Sequence, residues 1–446
     1  MWRLCLAILP ILLGADVHTE QLTYSEDIAP ILYRKCAECH RPNQVGPFSV
    51  LDYKSVRPWA KSIAKVVEQR RMPPWGADSS KTRYTNDRSL SEEQISNILL
   101  WISQGSKEGD RSSLPDMPAF YDEWKIGEPD LVFEAESSFT VAANQLEIPY
   151  QDVFFLPQLS DDMYISAWEL KPGNRKVVHH ANVVYAQRKL DPVGLGASLL
   201  AGGDILGGFL PGSDPYFYPE GTALKIPEGS IVQLAAHYVG IDETVNESPQ
   251  FGVRFANGRV DKLVRTVGTA EWKIQIEPHD PHWELDSVVT LTSPITILTS
   301  GAHMHYRGWA YTATAVFPDG SSHLIADVPR YDFNWQMTYE LADPIDVPKG
   351  TKYQVRAVWN NSKTNPNNPI PEKRAEYGLW TENEMLQTWS HVVLTEEKLG
   401  LNVQNGQIVG RFSDAQGSQH PKIIQSFPNF GRLQNRETTD KAEHLK

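Results

Sequence analysis

The sequence predicts a multidomain chain: a small all-α domain followed by two all-β antiparallel sandwiches of jelly-roll-like character. Three observations predict it. Apolar residues at helical spacing gather in residues 21–112. From 119 to 398, short β-branched and aromatic runs alternate with clusters of Gly, Pro, Asn and Asp, the pattern of antiparallel sheets. Between the two lies SKEGDRSSLPDMP, residues 106–118, polar and rich in turn formers, which reads as a linker. A length of 446 residues allows about two to four domains. With 41% hydrophobic residues and 13 Trp the chain can fill their cores. The β half divides into 119–265 and 266–398. The tail, 399–446, is polar and mixed in charge, with a stretch around Ile423–Phe430 able to dock on a sandwich and a disordered end.

The formal net charge is −13, from 42 Lys and Arg against 55 Asp and Glu. That balance argues against nucleic acid and against anionic membrane surfaces as partners. Residues 1–15, MWRLCLAILPILLGA, have a basic start, an apolar centre over Leu4–Leu13 and small residues before a cut, the layout of a secretory signal peptide. Its apolar centre falls short of the about 20 residues that span a bilayer. The expectation is an exported protein, periplasmic or extracellular, with no stable membrane insertion after cleavage. Of the three cysteines, Cys5 lies in this leader, and Cys36 and Cys39 belong to one motif.

The first helix is predicted with Asp27 as N-cap and Pro30 in its first turn, where a missing N–H costs little. Ile28, Ile31, Leu32 and Cys36 follow at helical spacing. A second helix is predicted over Val56–Arg70, with Trp59, Ile63, Val66 and Val67 on one side. A third opens on the capping-box pattern Ser91-Glu92-Glu93-Gln94 and runs to Gly105. At the end of the first stands Cys36-Ala37-Glu38-Cys39-His40, C-x-x-C-H. This spacing suits two thioethers to haem vinyl groups, with the following histidine on iron. A zinc site needs a second Cys or His pair nearby, and a redox dithiol wants a βαβ setting. Three helices with this motif resemble a class I cytochrome c domain, which implies one covalent haem c. The resemblance implies a methionine as sixth iron ligand on the loop before the last helix. Met72, in Arg71-Met72-Pro73-Pro74-Trp75, stands there, whereas Met117 follows the third helix. A His/Met pair raises the potential and suits electron transfer.

In the β half, strands are predicted over Asp130–Ala135, Tyr164–Leu170, Lys176–Ala186, Ser230–Val239, Gln250–Phe255, Val288–Thr299, Trp309–Val316 and Lys352–Trp359. In GAHMHYRG, residues 301–308, His303 and His305 flank one residue, and side chains at i and i+2 of a strand leave the same face. Two imidazoles side by side make most of a metal site that keeps a position open. His179-His180 lies in KVVHHANVVY, His237 in QLAAHYVG and Met385 in WTENEMLQTW. Adjacent histidines on a regular strand point to opposite faces, so His179 and His180 can share a metal only at a kink or strand end. Met304 reads as core, Met337 as packed among aromatics, and His279, His282, His323 and His391 as structural or surface.

The order His-His, His, His-x-His, Met resembles the copper type II ascorbate-dependent monooxygenases, the family of peptidylglycine alpha-hydroxylating monooxygenase and dopamine beta-monooxygenase. The spacing adds to the resemblance: 57 residues from His180 to His237, 66 from there to His303 and 80 from His305 to Met385. It implies two sandwiches that each hold one copper across an open, solvent-filled cleft. His179, His180 and His237 would then hold the electron-relaying copper. His303, His305 and Met385 would hold the copper that activates dioxygen and would form the catalytic centre. Three imidazoles suit both copper oxidation states, and a thioether favours Cu(I). The chain departs from the family in lacking disulfides. Gly301 replaces the arginine that grips a peptide carboxylate, and Gln387 and Trp389 replace an Asn and a Tyr. A peptide substrate is therefore not implied, and the ring of Trp389 is the one hint of an apolar or aromatic one.

Together these readings predict an exported haem c and copper-dependent monooxygenase. It would hydroxylate a C–H bond of an unidentified small molecule with dioxygen, its electrons coming from a periplasmic donor through the haem. The alternative is an electron-transfer cytochrome c fused to a copper-binding β-sandwich module without oxygenase activity.

Overall fold

The computed structural model describes residues 21–120, 124–145, 148, 151–156, 159–187, 204–378, 380–416 and 423–424. The expected leader, residues 1–15, and the end of the tail lie outside them. Among the described residues no helix is long and apolar enough to cross a membrane.

The expected small all-α domain is corrected. The described residues are 41% strand and 12% helical, and the helices are short. A π-helical turn, Tyr24–Ile28, leads into an α-helix at Ala29–Lys35. Its cap is Thr23, whose side chain accepts from Glu26 N, while Asp27 reaches back to Thr23 N at 2.6 Å. The predicted second helix is broken into Tyr53–Val56, a 3₁₀ turn at Arg57–Trp59 and Ala60–Glu68. Pro58, with no N–H to give and a ring that crowds the preceding turn, sits at the break. The Glu92–Ser103 helix starts on the predicted capping box, Ser91 with Gln94.

These pieces bury Tyr24, Ile28, Leu32, Val56, Ile98 and Trp101 among themselves. They do not close into a separate unit, because the chain between the last two helices leaves them and crosses the β half. Trp75, Ala77 and Tyr84 belong to the β core. Asp78 N donates to Asp327 O at 2.8 Å, Thr85 N to Glu340 O at 2.9 Å and Ala342 N to Arg83 O at 3.0 Å. Trp75, Tyr84 and Tyr339 form one aromatic triangle, with ring centroids 5.0 to 5.6 Å apart. Sequence spacing could not reveal this strap, because it carries no period of its own.

The β half is built on one long sheet. Its first part contains Leu131–Glu134, Gln250–Phe255, Met163–Lys171 and Thr222–Ile226. Lys262–Val267 follows, pairing in parallel with Thr222–Ile226 and antiparallel with Leu386–Leu394. Ile295–His303 and Thr338–Val347 complete the path. The predicted division at 265/266 thus falls inside a strand that joins the two parts. Each part carries a second layer. Gln151–Phe155, Ser230–Tyr238, Val178–Gln187 and Asp204–Phe209 cover the first. Trp283–Thr290, Lys352–Trp359, Gly308–Val316 and Ser322–Val328 cover the second. Alternating burial along Lys352–Trp359 is what a strand with one face on a core requires. Ile424 pairs with Leu291, and Thr292 N donates to Ile423 O at 2.7 Å, so this part of the tail lies on the sandwich.

His391, in Leu386–Leu394, is fully buried with Nε2 3.3 Å from Ile205 O, which fixes the proton there. Burial pulls its pKa from 6.5 down to about 4. Between those values the unfolded chain binds the proton that the folded chain refuses, so stability is full above pH 6.5 and falls as pH drops toward 4. The loss amounts to about 3 kcal/mol. Urea midpoints across this window are expected to slope less for His391→Asn than for the wild type.

Candidate metal centre

The strand Val178–Gln187 meets Ser230–Tyr238 with a register shift between Val178, opposite Tyr238, and His180, opposite His237. The shift inserts His179 as an extra residue. A bulge of this kind re-aims a side chain, and it supplies the kink that two adjacent histidines need to share one point. His179, His180 and His237 each offer a nitrogen, all within 4.8 Å of one another. Their ring centroids are 5.1 to 5.2 Å apart. His180 Nδ1 and His179 Nδ1 face each other at 3.1 Å. Burial holds all three below the ordinary histidine pKa, His237 at about 4, and mutual repulsion adds to it at His180 and His237. The imidazoles are thus neutral near pH 7, as ligands must be. The donor set fits a copper ion.

His303 is the last residue of Ile295–His303, and His305 follows just beyond it. Their rings are 5.1 Å apart at 86°. Both are buried. Each has its Nδ1 occupied, His303 by Gln336 Oε1 at 2.5 Å and His305 by Asn383 O at 3.3 Å. An Nδ1 proton given to an oxygen leaves Nε2 bare, the tautomer that a metal ligand requires. Met385 lies just before Leu386–Leu394, whose Gln387 pairs with His303. Met385 is buried, 5% exposed.

Glu384 fastens this corner. It accepts from His305 N at 3.0 Å, Arg307 N at 2.7 Å and Trp359 Nε1 at 3.0 Å. Arg307 is also fully buried and is held by Asn361 Oδ1 and Glu382 O. Tyr331 holds the residue between the histidines, giving its hydroxyl proton to Met304 O and accepting from Met304 N. Met304 is core, as its place between the ligands suggested.

The two histidine sets adjoin. Gln336 Nε2 lies 3.3 Å from His180 Nε2 and also donates to Phe333 O at 3.0 Å, while its Oε1 holds His303. The Phe333 ring touches His180, His237 and His305 at 5.2, 6.0 and 6.3 Å between centroids. A side chain and a ring therefore span the region where the resemblance implies an open cleft. Gln336 and Phe333 lie in FNWQMT, where sequence reasoning attended to Met337 alone. Glu384 and Arg307 were also missed. Neither pattern nor period marks a residue that works on its neighbours' ligands. Gln336→Leu is expected to weaken copper at the His303 set by about 10–100-fold, the usual cost of losing an outer partner. Competition with a chelator of known affinity measures it.

Trp389 is not available to a substrate. It is 1% exposed, donates Nε1 to Thr338 Oγ1 at 3.1 Å, and lies against Gly301, where a Cβ would come within 2.3 Å of the indole. The same contact explains Gly301: no arginine fits beneath that ring.

The C-x-x-C-H turn continues the Ala29–Lys35 helix, with Cys39 N and His40 N both donating to Cys36 O, at 3.2 and 2.9 Å. His40 Nδ1 faces Phe48 O at 3.3 Å, which leaves Nε2 for iron. Gly46 cradles the imidazole so closely that a Cβ would lie 2.7 Å from His40 Nδ1. Cys36 and Cys39 form no disulfide. Burial pushes the Cys36 thiol up to about 12 and the Cys39 thiol upward, which disfavours a reactive dithiolate. These features fit haem attachment. Met72 is half-buried just past the Ala60–Glu68 helix, its N–H bonded to Val66 O at 3.2 Å. No observed contact joins it to His40.

No protein-family model matches the chain, and no curated protein matches it. Among solved structures it is similar to the major capsid protein P2 of bacteriophage PM2, at 9% identity, over 59% of this chain and 96% of that one, with a TM-score of 0.25. It is similar to an allantoicase at 11% identity, over 49% and 80%, with a TM-score of 0.17. A third likeness is to the infectious bursal disease virus Gx strain structure, at 9% identity, over 60% and 70%, with a TM-score of 0.17. Likenesses this slight carry no argument about the site.

Proposed function

We propose that the chain is an exported copper-dependent monooxygenase that hydroxylates a C–H bond of a small organic molecule with dioxygen. Its electrons come from a periplasmic donor through one haem c on Cys36, Cys39 and His40, with Met72 as the sixth ligand. The observation that carries this reading is the pair of adjoining histidine sets, one of three imidazoles and one of two.

His179, His180 and His237 hold one copper, and His303, His305 and Met385 the other. When bound, the coppers and the haem supply one-electron chemistry, two electrons in all for each dioxygen divided between substrate and water. The residues set the conditions for it. Gln336 and Asn383 O keep protons at Nδ1 of His303 and His305 and so aim Nε2 at the ion. The Met385 thioether favours Cu(I), the state that meets dioxygen. Burial of His180, His303 and His305 keeps bulk water from the ligands. With Trp389 over Gly301, no arginine for a peptide carboxylate fits at that position, which speaks against a peptide substrate.

The test is haem and copper stoichiometry on protein matured in a periplasm with haem-attachment machinery, followed by oxygen uptake against a panel of C–H substrates. One haem, two coppers and substrate-dependent uptake are expected. One haem and two coppers without uptake leaves the runner-up, an electron carrier fused to a copper-binding module. One haem with no copper after loading overturns the proposal.

A further inference from the structure

The haem-attachment turn rests against another part of the chain. Cys39 Sγ lies 3.6 Å from Pro211 O, and a Cβ on Gly212 would fall 2.4 Å from that sulfur. Gly212 has φ +76°, so glycine serves here both for its backbone and for the room it leaves. Charges from four separate stretches ring the contact. Lys125 Nζ reaches Glu38 at 2.8 Å and Asp214 at 3.2 Å, and Arg88 reaches Asp214 at 3.5 Å. Arg88 also donates to Gly212 O. The turn is closed by Ser213 N on Leu210 O at 2.9 Å and anchored by Leu210, which is buried. It directly follows Asp204–Phe209, where Phe209 pairs with Ala181, the neighbour of His180.

We propose that the Leu210–Asp214 turn is the seat on which the haem-bearing Cys39 docks, and that it makes electron delivery to the first histidine set a process within one chain. A continuous run of protein joins Cys39 to His180 through Pro211, Leu210 and the Phe209–Ala181 pair. This rests on the haem and copper reading above. Each delivery takes one electron from ferrous haem, leaving ferric haem, and reduces one Cu(II) at His179, His180 and His237 to Cu(I). No proton or group changes place.

The experiment uses full-length protein with its haem and copper content measured beforehand. Anaerobic flash reduction of the haem is followed by its reoxidation, read from haem absorbance. The expected trace is a single exponential whose rate stays constant when protein concentration is varied. Gly212→Val, which pushes Cys39 off its seat, is expected to slow it about tenfold or more with haem and copper content unchanged, as small misplacements do. Lys125→Met breaks the charge ring without a steric clash and is expected to slow it in the same direction, which covers the case in which Gly212→Val fails to fold. A rate proportional to protein concentration overturns the proposal, and so does a wild-type rate in Lys125→Met together with a wild-type rate or misfolding in Gly212→Val. Protein with haem but no copper overturns both this proposal and the reading beneath it, and the metal analysis tells that failure from a failure of the seat alone.

Discussion

Copper titration of His303→Ala is expected to end at one tightly held ion per chain, half the wild-type loading, with oxygen uptake lost. His303 is one of only two imidazoles in its set, and it is also the residue that Gln336 holds. Its removal takes away a ligand and frees the amide that positions it. The loss of affinity at that site should therefore exceed the about 10–100-fold that an outer partner costs. His237→Ala is expected to lose the other ion. Because the retained ions have different ligands, three imidazoles in one variant and two with a thioether in the other, their Cu(II) paramagnetic spectra should differ. Two tightly bound coppers in His303→Ala would sink the assignment.

The second large effect is expected at Glu384. Its carboxylate serves three buried N–H groups and sits against the buried charge of Arg307. Glu384→Ala strands the three N–H groups, and each buried donor left unpaired costs about 1–3 kcal/mol. The urea midpoint of metal-free protein should fall accordingly. Glu384→Gln keeps one oxygen for the donors and should recover part of the loss. If Glu384→Ala unfolds at the wild-type midpoint, the clamp contributes nothing. Because the same carboxylate fixes His305 N, copper at the second set should weaken with it.

Much of the site was legible in the sequence, for identifiable reasons. The two-residue period of a strand made the His303/His305 pair legible, although the strand itself ends at His303 and His305 lies just beyond it. His179 and His180 posed a conflict with that period, and the bulge at His179 resolves it. The Ser91–Gln94 capping box was legible because both partners lie within four residues. Gln336 was not, because its meaning depends on His180 and His303, far away in the chain. The all-α domain failed for a related reason. Helical spacing marks Ile28 to Cys36 and Ile95 to Ile102 correctly, but nothing local says that Trp75 and Tyr84 belong to a core made of strands.

That strap bears on the order in which the molecule is assembled. Thr85 and its partner Glu340 are 255 positions apart. A chain that emerges N-terminus first can gather its helices early, since Tyr24, Leu32 and Trp101 all precede the β half. The strap then waits, with Trp75 and Tyr84 exposed, until Thr338–Val347 has been made. Until residues 210–214 have been made, the Cys36–His40 turn has no Leu210–Asp214 turn against it, and the thiol that the finished fold presses on Gly212 is open. On the proposed reading, haem attachment would therefore come before the Leu210–Asp214 turn is seated.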